Sequence, residues 1–497
     1  METKIPDAQL SLFSEFIAET MGLDFPASRR ADLQRGIVAA AGELGFDDAS
    51  ACIEWLMSGS PTRNQLEIIA SNLTVGETYF FREAASFDAL ADRILPALIN
   101  ERQDGERRLR IWSAACCTGE EPYSIAMTLH RTIPHLESWN VTVMATDINP
   151  RFLQKATAGV YGQWSFRGTA PWVKDRYFQP AAQAGQFEIR PEIKRMVRFA
   201  TLNLVEDVYP SPINDTNAMD VIFCRNVLMY FTAPQAIKVI RKLYRAQTDG
   251  GWLFVSPSEL PHGSSSLYRT VNYPSTVLYQ KDISKARADI NRPSHFSPDQ
   301  PMEETFVSSV PLSPVIPSAP RHLASAEVSA AIDVYKDAAT LHSEGRYAEA
   351  VETLKPALAS APGDPALLRL LAHSLANQGR LSEALDCCAR WIAADKVNSF
   401  GHYLRAVILQ EQGDMEEAIQ SLRRAIYVDP DFVLAHFALG NIARSRGRLG
   451  EADKQIAITR QLLSTYAPQD VIPESEGVTA GQLSEMINSM VSDRTNK

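Results

Sequence analysis

Four glycines late in the chain, Gly345, Gly379, Gly413 and Gly447, stand 34 residues apart, and each is followed five residues later by an alanine: Ala350, Ala384, Ala418 and Ala452. Pro362 and Pro430 fall two periods apart, with Lys396 at the intermediate position. Three series in one phase describe a stack of like units. A helix-turn-helix unit of this length needs a small residue where its first helix turns into its second. It needs another where the two helices cross closely, and a breaker after the second. Such units pile into a curved solenoid that offers its concave side to peptides or partner proteins and rarely does chemistry.

The series resembles the tetratricopeptide repeat (TPR), in about four copies over residues 329–466, followed by a C-terminal tail at 467–497. Ahead of it, residues 283–328 carry Pro293, Pro298, Pro301, Pro311, Pro314, Pro317 and Pro320 among serines. Prolines at this density favour extended polyproline II, which predicts a semi-flexible linker holding the repeats apart from what precedes them.

The full 497 residues correspond to two to four domains at roughly 100–200 residues each. A hydrophobic share of 45% with 22% charged residues excludes a wholly disordered chain. The formal charge of -10, from 49 Lys+Arg against 59 Asp+Glu, argues against nucleic acid as a partner. The six cysteines form no CxxC and no Cys/His metal spacing, so reduced thiols and no metal are expected. No signal-like N-terminus and no long apolar run appears, which predicts a cytoplasmic protein without membrane insertion.

Residues 1–73 read as short amphipathic helices, an all-helical cap. Between 74 and 282, apolar runs (LRIWSAA, VTVMATDI, MVRFATLNL, MDVIFCRNV, GGWLFVSPSE) alternate with helical stretches, an α/β pattern. SLYRTV and STVLYQK predict an antiparallel hairpin at the sheet edge. In a doubly wound sheet the ligand sits beyond the carboxyl ends of the strands. After LRIW comes the small, polar loop Ser113–Ser124, in which Gly119 opens a helix. GxGxxG and GxxxxGKS are both missing, so the loop suits a nucleoside without phosphates. Asp147, after VTVMAT, stands where a carboxylate can accept from both hydroxyls of a ribose, although Asp-Ile-Asn-Pro also reads as a helix cap.

Together, TVGETYFFRE, RIWSAACCTGEEPYSIAM, ATDINPRFLQKATAGVYG, ATLNL, DVIFCRNVLMYF and GGWLFVSPSE strongly resemble the CheR family of chemotaxis receptor methyltransferases. The blocks span about 74–259 in order, and the helical cap matches the family's N-terminal domain. The resemblance implies an all-helical N-terminal domain, an α/β methyltransferase sheet with a small β-subdomain near 187–199, and then the all-α TPR solenoid. It implies transfer of methyl from S-adenosylmethionine (SAM) to glutamate side chains on the cytoplasmic helical rods of chemoreceptors, leaving S-adenosylhomocysteine. It also implies recruitment to receptor clusters. Fusions with repeats resemble methyltransferases of chemosensory-like pathways that control surface behaviour or development. By motif, Thr78 and Arg82 would face the methionine end and reaction centre, and Glu120 or Glu121 would hold the methionine moiety. Asp147 would bind the ribose, and Asn203 and Leu204 would line the adenine pocket. Arg225 and Asn226 would complete the SAM site, with Tyr230 one helical turn on. Two positions depart from the family. Gly76 stands where Asn is usual, so that a cofactor contact is either missing or replaced by backbone, and Ala115 stands where Gly is common.

A glutamate side chain, with a pKa of about 4.3, is already ionised at neutral pH, so methylation of its oxygen needs no general base. It needs in-line placement and loss of water, for which Arg82 and Tyr230 offer a cation and a hydroxyl. Cys116-Cys117 and Cys387-Cys388 read as packing residues. The aromatic residues of GQWSFRGTAPWVKDRYF read as core or lid, and Arg29, Arg30 and Arg35 as a solvated face or a positive face towards acidic rods. Two other functions remain compatible: a SAM-binding sensor or scaffold, and a methyltransferase for another protein carboxylate.

Overall fold

The computed structural model describes residues 5–59, 61–102, 105–211, 214–256, 259–260, 267–282, 325–475 and 477–492. Helices α1 (Asp7–Met21), α2 (Arg30–Glu43), α3 (Ala49–Ser58) and α4 (Arg63–Leu73) open the chain around a core that includes Phe13, Ile17, Leu33, Ile37 and Ile53. A reciprocal Thr62–Gln65 capping box starts α4, satisfying amides that the helix itself leaves free.

Helices α5 (Ala84–Ala89) and α6 (Leu95–Glu101) lead into an alternating run of strands and helices. The run comprises β1 (Arg108–Ala114), α7 (Glu120–Thr132), β2 (Asn140–Asp147), α8 (Pro150–Ala158), β3 (Val160–Gly162) and α9 (Pro171–Tyr177). It continues with β4 (Phe178–Pro180), β5 (Gln186–Ile189), α10 (Pro191–Lys194), β6 (Val197–Thr201), β7 (Met219–Phe223) and α11 (Ala233–Ala246). It ends with β8 (Gln247–Phe254), β9 (Tyr268–Tyr273) and β10 (Thr276–Lys281). The main sheet is seven-stranded in the order β6-β2-β1-β7-β8-β10-β9. The first five strands are parallel, and β10 and β9 form an antiparallel hairpin at one edge. Every residue of β1 is buried, as expected of a central strand covered on both faces. The chain runs outward from β1 to β2 and β6, then returns to β7 on β1's other side, so the switch point lies at the tips of β1 and β7.

The small sheet has the order β3-β5-β4, so it draws on 160–162 and 178–180 as well as on 186–189. Of the stretch 187–199 assigned to it from sequence, only the first three residues belong there. The residues from Val197 continue instead into β6 of the main sheet, where they pair with β2.

Eight helices then form successive hairpins: α12 (Ser325–Ser343), α13 (Tyr347–Ser360), α14 (Pro365–Asn377), α15 (Leu381–Ala394), α16 (Ser399–Gln412), α17 (Met415–Val428), α18 (Val433–Ser445) and α19 (Leu449–Leu463). The four repeat glycines turn with φ of 76°, 74°, 91° and 72°, a left-handed backbone that a side chain would strain. The four repeat alanines are buried where paired helices cross. The stretch read as a tail carries a further helix, α20 (Ala480–Ser492). Among the described residues, no helix is long and apolar enough to cross a membrane.

The repeats are not held apart from the sheet; 283–324 lie outside the described residues, but the array packs directly onto the amino ends of the strands. Arg108 and Arg110, two cations at the start of the buried strand β1, both reach Glu411 of α16, at 3.1 and 3.6 Å. Asn217 donates to the same carboxylate at 3.1 Å. Burial pulls the Arg108 guanidinium below its usual range, and the Glu411 charge acts against that pull. Glu106 accepts from Ser382 and Gln412, and Lys281 donates to the Gly345 carbonyl. A Cβ on Gly379 would stand 2.8 Å from the Arg108 guanidinium, so the repeat's small turn also makes room for the sheet.

A buried charge that loses its partner costs about 3–5 kcal/mol. Glu411→Ala is therefore expected to release the array from the sheet, read as a larger radius of gyration in X-ray scattering. A scattering curve identical to the wild type would contradict this interface.

Candidate active site

The turn after β1 is built from backbone that most residues avoid. Ala115 and Cys117 have φ of 62° and 51°, and Gly119 has 94°. The left-handed conformation at Ala115 accounts for a preference for glycine there; alanine, with a single methyl, tolerates it at a cost of about 1–2 kcal/mol. A Cβ on Gly119 would stand 2.8 Å from the Ala156 Cβ and 2.9 Å from the Tyr161 hydroxyl. The turn aims the Cys117 amide at Asp147 Oδ2 (2.8 Å), while the Asn149 amide meets Oδ1 (2.9 Å). The cap of α8 is Asn149, whose side chain accepts from the Arg151 and Phe152 amides, so Asp147 is not consumed as a helix cap. Burial pushes the Asp147 carboxyl up to about 6, with the amides opposing it.

The two adjacent glutamates of α7 separate. Glu121 lines the cleft, accepts from Ser113 Oγ at 2.8 Å and pairs with Arg225 at 3.3 Å. Burial raises its carboxyl, while Arg225 and Ser113 act the other way. Glu120 does not line the cleft; it accepts from Thr118 Oγ1 and Ser165 Oγ at 2.6 and 2.9 Å. Helical spacing turns neighbouring side chains about 100° apart, which is why only one of the pair faces the ligand side.

Arg225 is almost fully buried. It pairs with Glu83 at 3.0 Å as well as Glu121, and donates to the Arg82 carbonyl at 2.5 Å. Its Nε has no hydrogen-bond partner among the described residues. Asn226, at φ 58°, donates its amide to Glu259 at 2.6 Å and its side chain to Ser256 at 2.9 Å. The Arg82 guanidinium donates to the Glu77 carbonyl and lies 5.9 Å from the Tyr79 ring centre. Tyr230 lines the same cleft, its carbonyl accepting from the Asp24 amide of the cap at 2.6 Å.

Of the remaining positions inferred by motif, Thr78 and Leu204 line the cleft. Asn203 does too, but its side chain is already engaged, donating to the Thr20 carbonyl of α1 at 2.9 Å and accepting from the Val205 amide at 3.2 Å. It fastens the cap to the sheet rather than presenting a free amide. Gly76 is not among the lining residues. A Cβ there would stand 2.9 Å from the ring of Phe152, so the glycine lets that ring pack, and the ring itself faces the cleft.

Three further residues complete the arrangement. Glu83 and Glu259 lie inside the quoted sequence blocks, but a lone acid carries no pattern; their roles arise from the pairing with Arg225 and the capping of Asn226. Arg29 of the cap lies over the Phe25 and Tyr230 rings, 4.7 and 5.1 Å from their centres, and lines the cleft. Arg30 and Arg35 turn away to Ser11 and Asp32. The cysteines are free thiols, and burial pushes Cys117 up to about 12, as suits packing rather than reactivity. Phe166, Tyr177 and Phe178 are core, whereas Trp164 is exposed beside Arg167.

The result is a solvent-open cleft between the helical cap and the carboxyl ends of the strands. Its lining includes three acidic residues, Glu77, Glu121 and Asp147, and three guanidinium groups, Arg29, Arg82 and Arg225.

Comparison with known proteins gives the arrangement a family. The profile described as "CheR methyltransferase, SAM binding domain" matches residues 76–277, and two tetratricopeptide-repeat profiles match 341–408 and 408–452. Chemotaxis protein methyltransferase 2 of Vibrio cholerae is 30% identical over 283 residues, covering 56% of this chain and 95% of that protein. Chemotaxis protein methyltransferase 1 of Pseudomonas aeruginosa is 30% identical over 280 residues, 55% of this chain and 98% of that one. The probable biofilm formation methyltransferase WspC of Pseudomonas aeruginosa is 30% identical over 353 residues, 68% of this chain and 79% of that one. The chain belongs to the CheR family of chemotaxis protein methyltransferases, with tetratricopeptide repeats following its SAM-binding domain.

Proposed function

We propose that this protein transfers the methyl group of SAM to glutamate side chains on the cytoplasmic helices of a chemoreceptor, with its repeats docking a protein partner at the receptor cluster. The observation that carries the reading is the convergence of Asp147, Glu121, Arg82, Arg225 and Tyr230 on one cleft, with Arg29 of the cap at its wall. No base is required, because the accepting carboxylate is ionised at neutral pH.

The residues fit SAM chemically. Asp147, held by two backbone amides, keeps lone pairs for a ribose diol. Glu121 offers a negative charge to an ammonium group, and the Arg225 guanidinium, at the cleft wall, a positive charge to a carboxylate. When bound, SAM supplies a methyl group made electrophilic by its sulfonium. The chain's own task is to bring a glutamate oxygen in line and strip its water. Arg82, tethered to the Glu77 carbonyl, and Arg29, stacked on Tyr230, draw the carboxylate in, and the Tyr230 hydroxyl orients it. The approach of an acidic helix to these cations is salt-sensitive in rate.

The direct test incubates the protein with methyl-labelled SAM and receptor cytoplasmic domains, then measures label released as methanol by mild alkali. Alkali-labile label on a receptor is expected; a broad receptor panel without transfer, despite measured SAM binding, would overturn the reading. Tyr230→Phe should lower kcat about a hundredfold while leaving SAM affinity within a few-fold, since it removes one donor at the reacting group. Arg82→Ala should lower both kcat and SAM affinity. Wild-type turnover and affinity in both variants would remove the two residues from the mechanism.

Asp147 also sets a pH dependence. Its carboxyl sits at about 6 in the free protein, so it is ionised above that value and protonated below it. Acceptance from ribose hydroxyls favours the ionised form. SAM affinity should therefore be greatest above pH 6 and weaken by up to about tenfold per pH unit below it. Calorimetry between pH 5 and 8 measures this, and Asp147→Asn should weaken binding at pH 8 and flatten the profile. A wild-type profile that is flat across this range would contradict the role.

A further inference from the structure

Tyr335, Arg369, Tyr403 and Phe437 stand 34 residues apart, one on the first helix of each repeat, α12, α14, α16 and α18, so they share one face of the stack. In an array whose working face is open, such a row is wetted. Here Tyr403 and Phe437 are only 5% and 3% exposed, and their neighbours Phe400 and Phe432 are buried as well.

The chain's own segment 466–492 packs into the same apolar cluster as these rings. Its first part is a tight hairpin, with Val471 bridged to Thr479 and the Ile472 amide donating to the Val478 carbonyl at 2.9 Å. Helix α20 follows. Ile472, Val478, Ala480, Leu483 and Ile487 are all buried in the same apolar cluster as Phe400, Tyr403, Phe432 and Phe437. Glu474 forms an ion pair with Arg369 of the second repeat, and Arg369 itself lies 5.2 Å from the Phe400 ring centre. A helix that merely capped the solenoid would sit on the last repeat alone. This segment meets the last repeat through Arg460 and Asn488, yet reaches back to the second.

Among the described residues, the polar ties of the segment to the repeats include a half-exposed ion pair, at 35% and 29% exposure, and an exposed Arg–Asn hydrogen bond. Pairs of that kind are worth about 0–1 kcal/mol, so apolar contact provides most of the hold, and another segment of the same shape can provide it equally well. Gly477 also lies against the Asp207 carbonyl, in the loop that follows Asn203 and Leu204.

We propose that residues 466–492 are an internal ligand of the repeat array, covering its docking face and yielding it to a partner segment of the same chemistry: an apolar helix preceded by an acidic side chain. The proposal rests on the reading of the array as a protein-docking unit. The probe chosen is the chain's own segment, so an array that docked no outside protein would still bind it, and the two ideas fail separately.

The test uses the full chain and a labelled synthetic peptide of residues 466–492. Leu483→Asp combined with Ile487→Asp should open the segment and let the peptide bind about tenfold or more tightly than to wild type, because a face closed most of the time binds weaker by its open fraction. Arg369→Glu in that background should weaken the peptide again. An opened variant that melts and methylates like wild type but binds the peptide no better would overturn the proposal and make the segment a fixed cap. If the opened variant does not fold, hydrogen exchange on the wild-type chain decides. Exchange of 466–492 ahead of α13–α19 is expected, and exchange of the segment only together with the whole array would overturn the proposal.

Discussion

The bonds from the Cys117 and Asn149 amides to the Asp147 carboxylate tie the turn after β1 to the tip of β2, and the cleft is built around that tie. Without it, the left-handed residues Ala115 and Cys117 would have little reason to hold their strained backbone. The turn in turn sets where α7 begins. That start directs Glu121 to the cleft and Glu120 to Thr118 and Ser165, and Glu121 then fixes one side of Arg225. Burying a carboxylate against the preference of water for it is costly; the two amides offset part of the cost and leave a group whose charge is set near neutral pH.

Much of the fold was legible because its signals are periodic. The glycine and alanine series placed the hairpins of the array, and runs such as LRIW and VTVMAT placed the central strands. The cleft was legible to the extent that its residues follow strand ends, as Asp147 and Arg225 do. What escaped were features that depend on partners distant in sequence. The engagement of Asn203 with Thr20, the packing of Gly76 on Phe152 and the stacking of Arg29 on Tyr230 have no local signature. The same holds for Arg108 and Arg110. Two cations at the start of a buried strand look anomalous until Glu411, some 300 residues on, is seen between them.

The molecule therefore has two working ends on one sheet. The carboxyl ends of the strands carry the cleft, roofed by the helical cap, and the amino ends carry the repeats. A proline-rich connection suggests independence between the two units, but buried charge at their junction argues for a fixed relation, since an ion pair out of water binds strongly only when its geometry is kept. A partner held by the repeats would then stand at a defined orientation to the cleft, and the segment 466–492 touches both the repeats, through Glu474 and Arg369, and the loop of Asp207, through Gly477.

The central claim is that the cleft esterifies glutamate side chains. It is tested most directly by peptide mass spectrometry of a receptor cytoplasmic domain incubated with the protein and SAM. The account predicts a gain of one methylene mass on particular glutamates, reversed by mild alkali and absent with Asp147→Asn at limiting SAM. Modification on lysine, arginine or a backbone amine, stable to alkali, would contradict it.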